Sequence, residues 1–215
     1  IADRVNTQNQ AVLERFRTEA KSLGNHTFSH LDLNQVDAEF YIDNIAQADA
    51  ILKPLLTTPK YFRYPYLALG KGEKKEKIAA YLASKHYHVA PITIDTKDFI
   101  FNQQLLAVPQ LARREFLEEL KPVYLDYILI QTLNAEEYNR KSHLKDRAQI
   151  LLIHANLLNA YVLCDIINLY KTLGYRFISL KKALKTFPSP NKKGTHINKN
   201  YLNINKEIEA FRVWD

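Results

Sequence analysis

The chain has 215 residues, 47% of them hydrophobic and 11% aromatic, which suits one domain with a buried core and excludes a disordered polyelectrolyte. Its net charge of +7 is concentrated at one end: between Asp165 and Glu207 there are lysines and an arginine but no acidic residue. No nucleic-acid partner is therefore expected for the remainder. A single cysteine, Cys164, excludes an internal disulfide framework, and no apolar run approaches the roughly 18 residues of a membrane span.

Taken along the chain, residues 9–23 carry Leu13, Phe16, Ala20 and Leu23 at helical spacing, with Gly24 as the expected stop. Residues 36–56 predict a longer helix ending near Pro54. KYFRY (60–64) reads as a short strand followed by a charged helix, and HVAPITI (88–94) as a buried strand in which Pro91 marks a bulge or a strand start. Residues 99–145 predict a helical insertion broken near Pro109 and Pro122. QILLIH (149–154) reads as a strand covered on both faces, followed by a helix over 158–173, the strand YRFIS (175–179) and the short helix LKKALKTF. Strands alternating with helices imply a parallel sheet with its helices outside, an α/β fold that is either open or closed. One domain is expected over 1–187, with a basic C-terminal tail over 188–215.

The ionisable residues collect at the ends of these strands. Arg63 closes the first, Asp95 and Asp98 follow the second, and His154 ends the third, all at the edge where α/β proteins place their binding and catalytic groups. Upstream, GNHTFSH (24–30) sets His26 and His30 four residues apart, and a helical turn there would face both imidazoles the same way. Each residue also has a plainer reading. The histidine pair can be a coincidence of composition, His154 a satisfied core group, Asp98 a helix N-cap, Asp95 a turn residue and Arg63 a surface arginine among aromatics.

In order, these pieces resemble the NodB-type polysaccharide deacetylases, carbohydrate esterase family 4. The family's H-[ST]-x-x-H box matches His26 to His30, its R-x-P-[YF] motif matches Arg63 to Tyr66, and its L-x-H motif matches Leu152 to His154. Its D-x-x-D-W motif matches Asp95 to Asp98, followed by Phe99 in place of tryptophan. The likeness covers roughly residues 8–187 and implies a distorted (β/α)7-type barrel. It also implies a divalent metal, zinc above all, held by His26 and His30, and an acetylated oligo- or polysaccharide substrate. By the same resemblance His154 is the general acid, Asp98 orients it, Arg63 orients the base, the Tyr66 backbone N–H serves the oxyanion, and Phe99 with Tyr66 lines the acetyl pocket.

The family's first motif, T-F-D-D, which carries the catalytic base and a third metal ligand, has no counterpart: the acids before His26 are Asp3, Glu14 and Glu19. The expectation is that this motif, two barrel strands and any export signal lie upstream of Ile1, since a barrel without those strands would expose long edges. An exported, metal-dependent carbohydrate deacetylase is the reading that follows. Its alternatives are a carbohydrate-binding homologue with impaired catalysis and an amidohydrolase of the same fold acting on a small amide.

Overall fold

A computed structural model of the chain describes residues 1–19 and 22–188. The expected tail therefore lies, beyond Pro188, outside the described residues.

The elements follow from local chemistry read against burial. Helix α1 (Gln10–Glu19) buries none of its residues, and Val12 and Phe16 are exposed; of the apolar residues spaced over 9–23, Leu23 is buried in a small core with Ala48, Leu52 and Leu55, and Leu13 packs partly buried against it. Gly24, expected to stop that helix, has another use. It lies against the next strand so closely that a Cβ there would sit 2.5 Å from the Tyr61 carbonyl oxygen. Helix α2 (Ala38–Leu52) starts on Asp37, whose carboxylate accepts from the Phe40 N–H, and buries Tyr41, Ile45 and Ala48.

Strand β1 (Lys60–Phe62) pairs in parallel with β2 (Tyr87–Val89), Lys60 opposite Tyr87 and Phe62 opposite Val89, with helix α3 (Gly72–Ser84) crossing between them. Asn25 adds a parallel bridge to Phe62 on the other side of β1. Proline has no N–H to give to a ladder, and the 88–94 segment, expected as one buried strand, is divided instead: β2 ends at Val89 with His88 and Val89 exposed, and β3 is only Ile94–Asp95. Strand β3 pairs in parallel with β4 (Leu151–Leu152). The result is two separate pairs of short parallel strands, β1 with β2 and β3 with β4, with α3 packed against β2 and α5 against β3.

The insertion consists of α4 (Asp98–Ala107) and α5 (Arg113–Lys141), separated at Pro109. Pro122 does not break α5. The carbonyl it deprives of a partner belongs to exposed Glu118, where water can serve it, while Leu120, Tyr124, Ile128 and Thr132 stay buried on one face. Those residues form one core with Leu105 of α4 and Leu158, Val162 and Ile166 of α6 (Leu157–Thr172); a second core joins α2, β1, α3 and β2. Residues 175–179 form no strand among the described residues, and Phe177 and Ile178 are exposed. Without a neighbour to accept its N–H groups, the expected strand has no ladder to join. Helix α7 (Leu180–Leu184) ends the described chain, capped by Ser179.

Candidate active site

The segment Asn25 to His30 is a loop built by asparagines rather than a helical turn. Asn25 is 1% exposed; its amide donates to the Ile45 carbonyl (3.1 Å) and the Tyr87 hydroxyl (3.2 Å), and its Oδ1 accepts from the Thr27 N–H (2.8 Å). Asn44, on α2, accepts from the N–H groups of Phe28 and Ser29, each at 3.0 Å, and donates to Ser29 Oγ. Thr27 and His30 take φ of 65° and 60°, and the Thr27 hydroxyl accepts from the His30 N–H at 3.0 Å. Such left-handed residues are uncommon outside glycine and persist where surrounding bonds impose them. The expected helical geometry is thus replaced by a tight turn, yet the imidazoles still meet, their centroids 4.9 Å apart.

His26 Nδ1 lies 2.7 Å from the Arg63 carbonyl oxygen. A carbonyl only accepts, so Nδ1 carries the proton and Nε2 keeps its lone pair. Burial pushes the His26 pKa down to about 4, and burial likewise lowers that of His30. Both rings are therefore neutral at pH 7, as metal ligation requires. Among the described residues no third His, Cys, Asp or Glu joins them. The two rings fit part of a donor set: catalytic zinc sites ordinarily take three protein ligands.

Arg63 follows β1; its Nε donates to the Ala90 carbonyl (3.2 Å), and its remaining guanidinium N–H groups have no acceptor among the described residues. Beyond it the chain makes a short 3₁₀ turn over Pro65–Leu67 with Tyr66 at φ 54°. The Tyr66 side chain is exposed and its ring stands edge-on to His30 at 4.6 Å. Its N–H has no acceptor among the described residues.

Asp98 and His154 form the second half of the site. Asp98 is 1% exposed and opens α4, but its carboxylate caps nothing. Its Oδ1 accepts from His154 Nδ1 at 2.7 Å, and its Oδ2 accepts from the His154 N–H (2.6 Å), Asn156 Nδ2 (2.9 Å) and Asn159 Nδ2 (2.6 Å). Burial raises the Asp98 pKa, but the His154 bonds more than offset it, and the net shift is downward. The same bond raises the His154 pKa against the opposing effect of burial. His154 Nε2 is left toward solvent, its side chain 47% exposed.

The two halves share one electrostatic neighbourhood. His154 disfavours protonation of His30, while Asp95 and Arg63 act on His154 in opposite senses. Asp95 makes both a turn, accepting from the Lys97 N–H, and an ion pair with Lys97 Nζ at 2.7 Å. Phe99 is 45% exposed, with its ring 6.2 Å from the His154 ring and perpendicular to it. All seven residues selected from sequence thus lie around this edge. Asn25, Asn44, Asn156 and Asn159 had not been selected. Asn25 stands next to a motif histidine, and Asn156 and Asn159 stand at the opening of the helix after His154, whereas Asn44, in the middle of α2, carries no such signal. A separate cavity of about 400 Å³, lined by Glu136, Arg147, Gln149, Tyr175 and neighbours, contains none of the seven.

Parallel strand pairs with helices packed against them, carrying a neutral histidine pair and a histidine–aspartate pair at their C-terminal ends, place the chain among α/β proteins in which strand ends build the site. Comparison with known proteins narrows this. Residues 1–88 match the family model described as polysaccharide deacetylase. A chitin deacetylase of Colletotrichum lindemuthianum is 24% identical over 181 residues, 84% of this chain and 63% of that protein. One from Arthroderma benhamiae is 32% identical over 41% of this chain and 23% of its own. A peptidoglycan-N-acetylglucosamine deacetylase of Bacillus cereus is 29% identical over 41% and 30%. The chain thus spans less than two thirds of these curated relatives. Among solved structures, peptidoglycan deacetylase PdaC from Bacillus subtilis superposes with a TM-score of 0.56 at 16% identity, over 99% of this chain and 80% of that one. A CE4 family pseudoenzyme from Bacillus anthracis does so with 0.54 at 16%, over 85% and 53%. Over residues 1–88 the chain is similar to the polysaccharide deacetylases, and its fold is of the distorted (β/α)7-barrel kind of the carbohydrate esterase family 4 structures.

Proposed function

We propose that the protein is a metal-dependent hydrolase, exported to act on acetylated carbohydrate, that releases acetate from N-acetylated (or O-acetylated) sugar residues. The observation that carries this reading is the opposition of a neutral histidine pair to a charge-coupled histidine–aspartate pair at one strand edge. His26 and His30 would hold the metal through the ring nitrogens left free by the loop. A divalent metal there, zinc being the usual partner of imidazole, would supply Lewis acidity toward the acetyl carbonyl and a more acidic water.

Four other groups have roles set by their surroundings. The Tyr66 N–H, held in a strained turn without an acceptor, is placed to donate to an oxyanion. Arg63, with guanidinium donors unspent, is suited to orient a carboxylate. His154, protonated on Nε2, would deliver a proton to the departing amine, since an amide nitrogen leaves poorly unless protonated; Asp98 holds its Nδ1–H. Phe99, half-exposed beside His154, offers an apolar face for the acetyl methyl or a sugar ring.

The test is acetate release from N-acetylated chitooligosaccharides and from peptidoglycan by the full-length protein, with metal content measured alongside. Stoichiometric metal and turnover that a chelator removes are expected. Full turnover in His26→Ala would overturn the metal assignment. A second reading, a carbohydrate-binding homologue with impaired catalysis, is favoured by Phe99 where the family pattern has tryptophan. Saturable oligosaccharide binding without any acetate release would select it.

A further inference from the structure

Asp98 and His154 lie 56 residues apart in sequence, and what fixes their relative geometry comes from a third place in the fold. Asn159, on the first turn of α6 and 4% exposed, donates from Nδ2 to Asp98 Oδ2 at 2.6 Å and to the His154 carbonyl at 2.9 Å. Its Oδ1 accepts from the Tyr124 hydroxyl at 3.1 Å, and Tyr124 is fully buried on the long insertion helix α5. A carboxamide can face a carboxylate in two ways, one of which sets oxygen against oxygen. Tyr124, donating to one end, and Asp98, accepting at the other, leave a single orientation.

We propose that Asn159, locked by Tyr124, is a positioning residue for the proton-donating pair. It holds the Asp98 carboxylate so that Oδ1 is presented to His154 and Oδ2 is occupied. This rests on the reading of His154 as general acid. The insertion would then belong to the active site, its helix α5 supplying the hydroxyl that sets the amide. Asn159 also bears on the proton affinity of the pair: each donor to Oδ2 draws charge away from Oδ1, so its loss makes Asp98 a stronger partner for the His154 proton. The other groups bearing on His154 are Asp95 with its Lys97 partner, Arg63 and His30; none lies on α5 or α6.

The experiment is a pH titration of the His154 imidazole by NMR in the full-length protein, alongside kcat and KM for acetate release. Asn159→Ala should lower kcat about tenfold with KM little changed, as for residues that orient a functional group through a second one. It should also move the His154 titration upward. Tyr124→Phe, which removes one hydroxyl and fits the same space, should change both in the same direction by less. It serves as the readout if Asn159→Ala does not fold. A folded variant whose His154 titration is unmoved or moves down overturns the proposal, whatever its activity. If the wild-type protein releases no acetate from any substrate, the deacetylase reading fails instead, and the NMR titration still decides the role of Asn159.

Discussion

The two histidine sites are built from the same side chain and driven in opposite directions. His26 is buried against a backbone carbonyl with a second imidazole as neighbour, and its pKa falls to about 4. His154 lies half-exposed with a fully buried carboxylate on Nδ1, and its pKa rises. A carbonyl fixes the tautomer without favouring the proton enough to offset burial, whereas a carboxylate does both. The difference separates a ring that offers a lone pair at neutral pH from a ring whose hold on its proton is strengthened.

The deepest break to this contrast is His26→Ala. Loss of the Lewis acid forfeits several kcal/mol of transition-state stabilisation, so kcat/KM should fall about a thousandfold, with metal lost in parallel by elemental analysis. His154→Ala removes the proton donor and keeps the metal. A fall of about a hundredfold is expected in steady-state assays, with metal content unchanged. The pairing of those two results, one losing metal and one not, is what the two-site picture requires.

Asp98→Asn should cost less, about tenfold in kcat, and should lower the pH at which the alkaline limb of the rate profile falls, since His154 loses the bond that raises its pKa. The stability consequence has a defined sign. His154, raised above 6.5, contributes stability that is present below that value and lost as pH rises through its folded pKa. Asp98, lowered from 3.8, contributes stability present above that value and lost as pH falls through its folded pKa. Thermal melts of wild type and Asp98→Asn should therefore differ most between about pH 4 and 6.5, the gap narrowing as pH falls through the folded pKa of Asp98 or rises through that of His154. The smallest effect is expected at Asn44→Ala. Freeing the Ser29 N–H, and taking from Phe28 N–H one of its two acceptors, should cost about 1–3 kcal/mol in chemical denaturation and weaken metal affinity. It should leave the His154 titration where it is.

How much of this could be read from the chain varies by element. Strands β1 and β4 were legible because parallel strands announce themselves as apolar runs between turns, whereas the 88–94 run, expected as one strand, is divided. Pro122 misled because the cost of a helical proline is local, while the Leu120 to Thr132 stripe that outweighs it is a packing fact. The spacing in α1 was legible as a helix, although the helix buries none of its residues and Leu13 packs partly buried against the cluster that holds Leu23. Residues 175–179 have strand composition but no ladder partner among the described residues.

The sequence alone determined the chemistry available at the edge. Two histidines, an arginine, two aspartates and a further histidine stand in an order that a reader can match to a family, because catalytic groups sit at strand ends and strand ends are visible as apolar runs that stop. Protonation, orientation and support were decided only in three dimensions. A pKa depends on burial and on charges within a few ångströms, and those neighbours come from residues 37 positions away for His26 and 56 for His154. Asn44, Asn159 and Tyr124 carry no signature of their own; an amide or a hydroxyl becomes a tether only when the fold brings a buried partner to it.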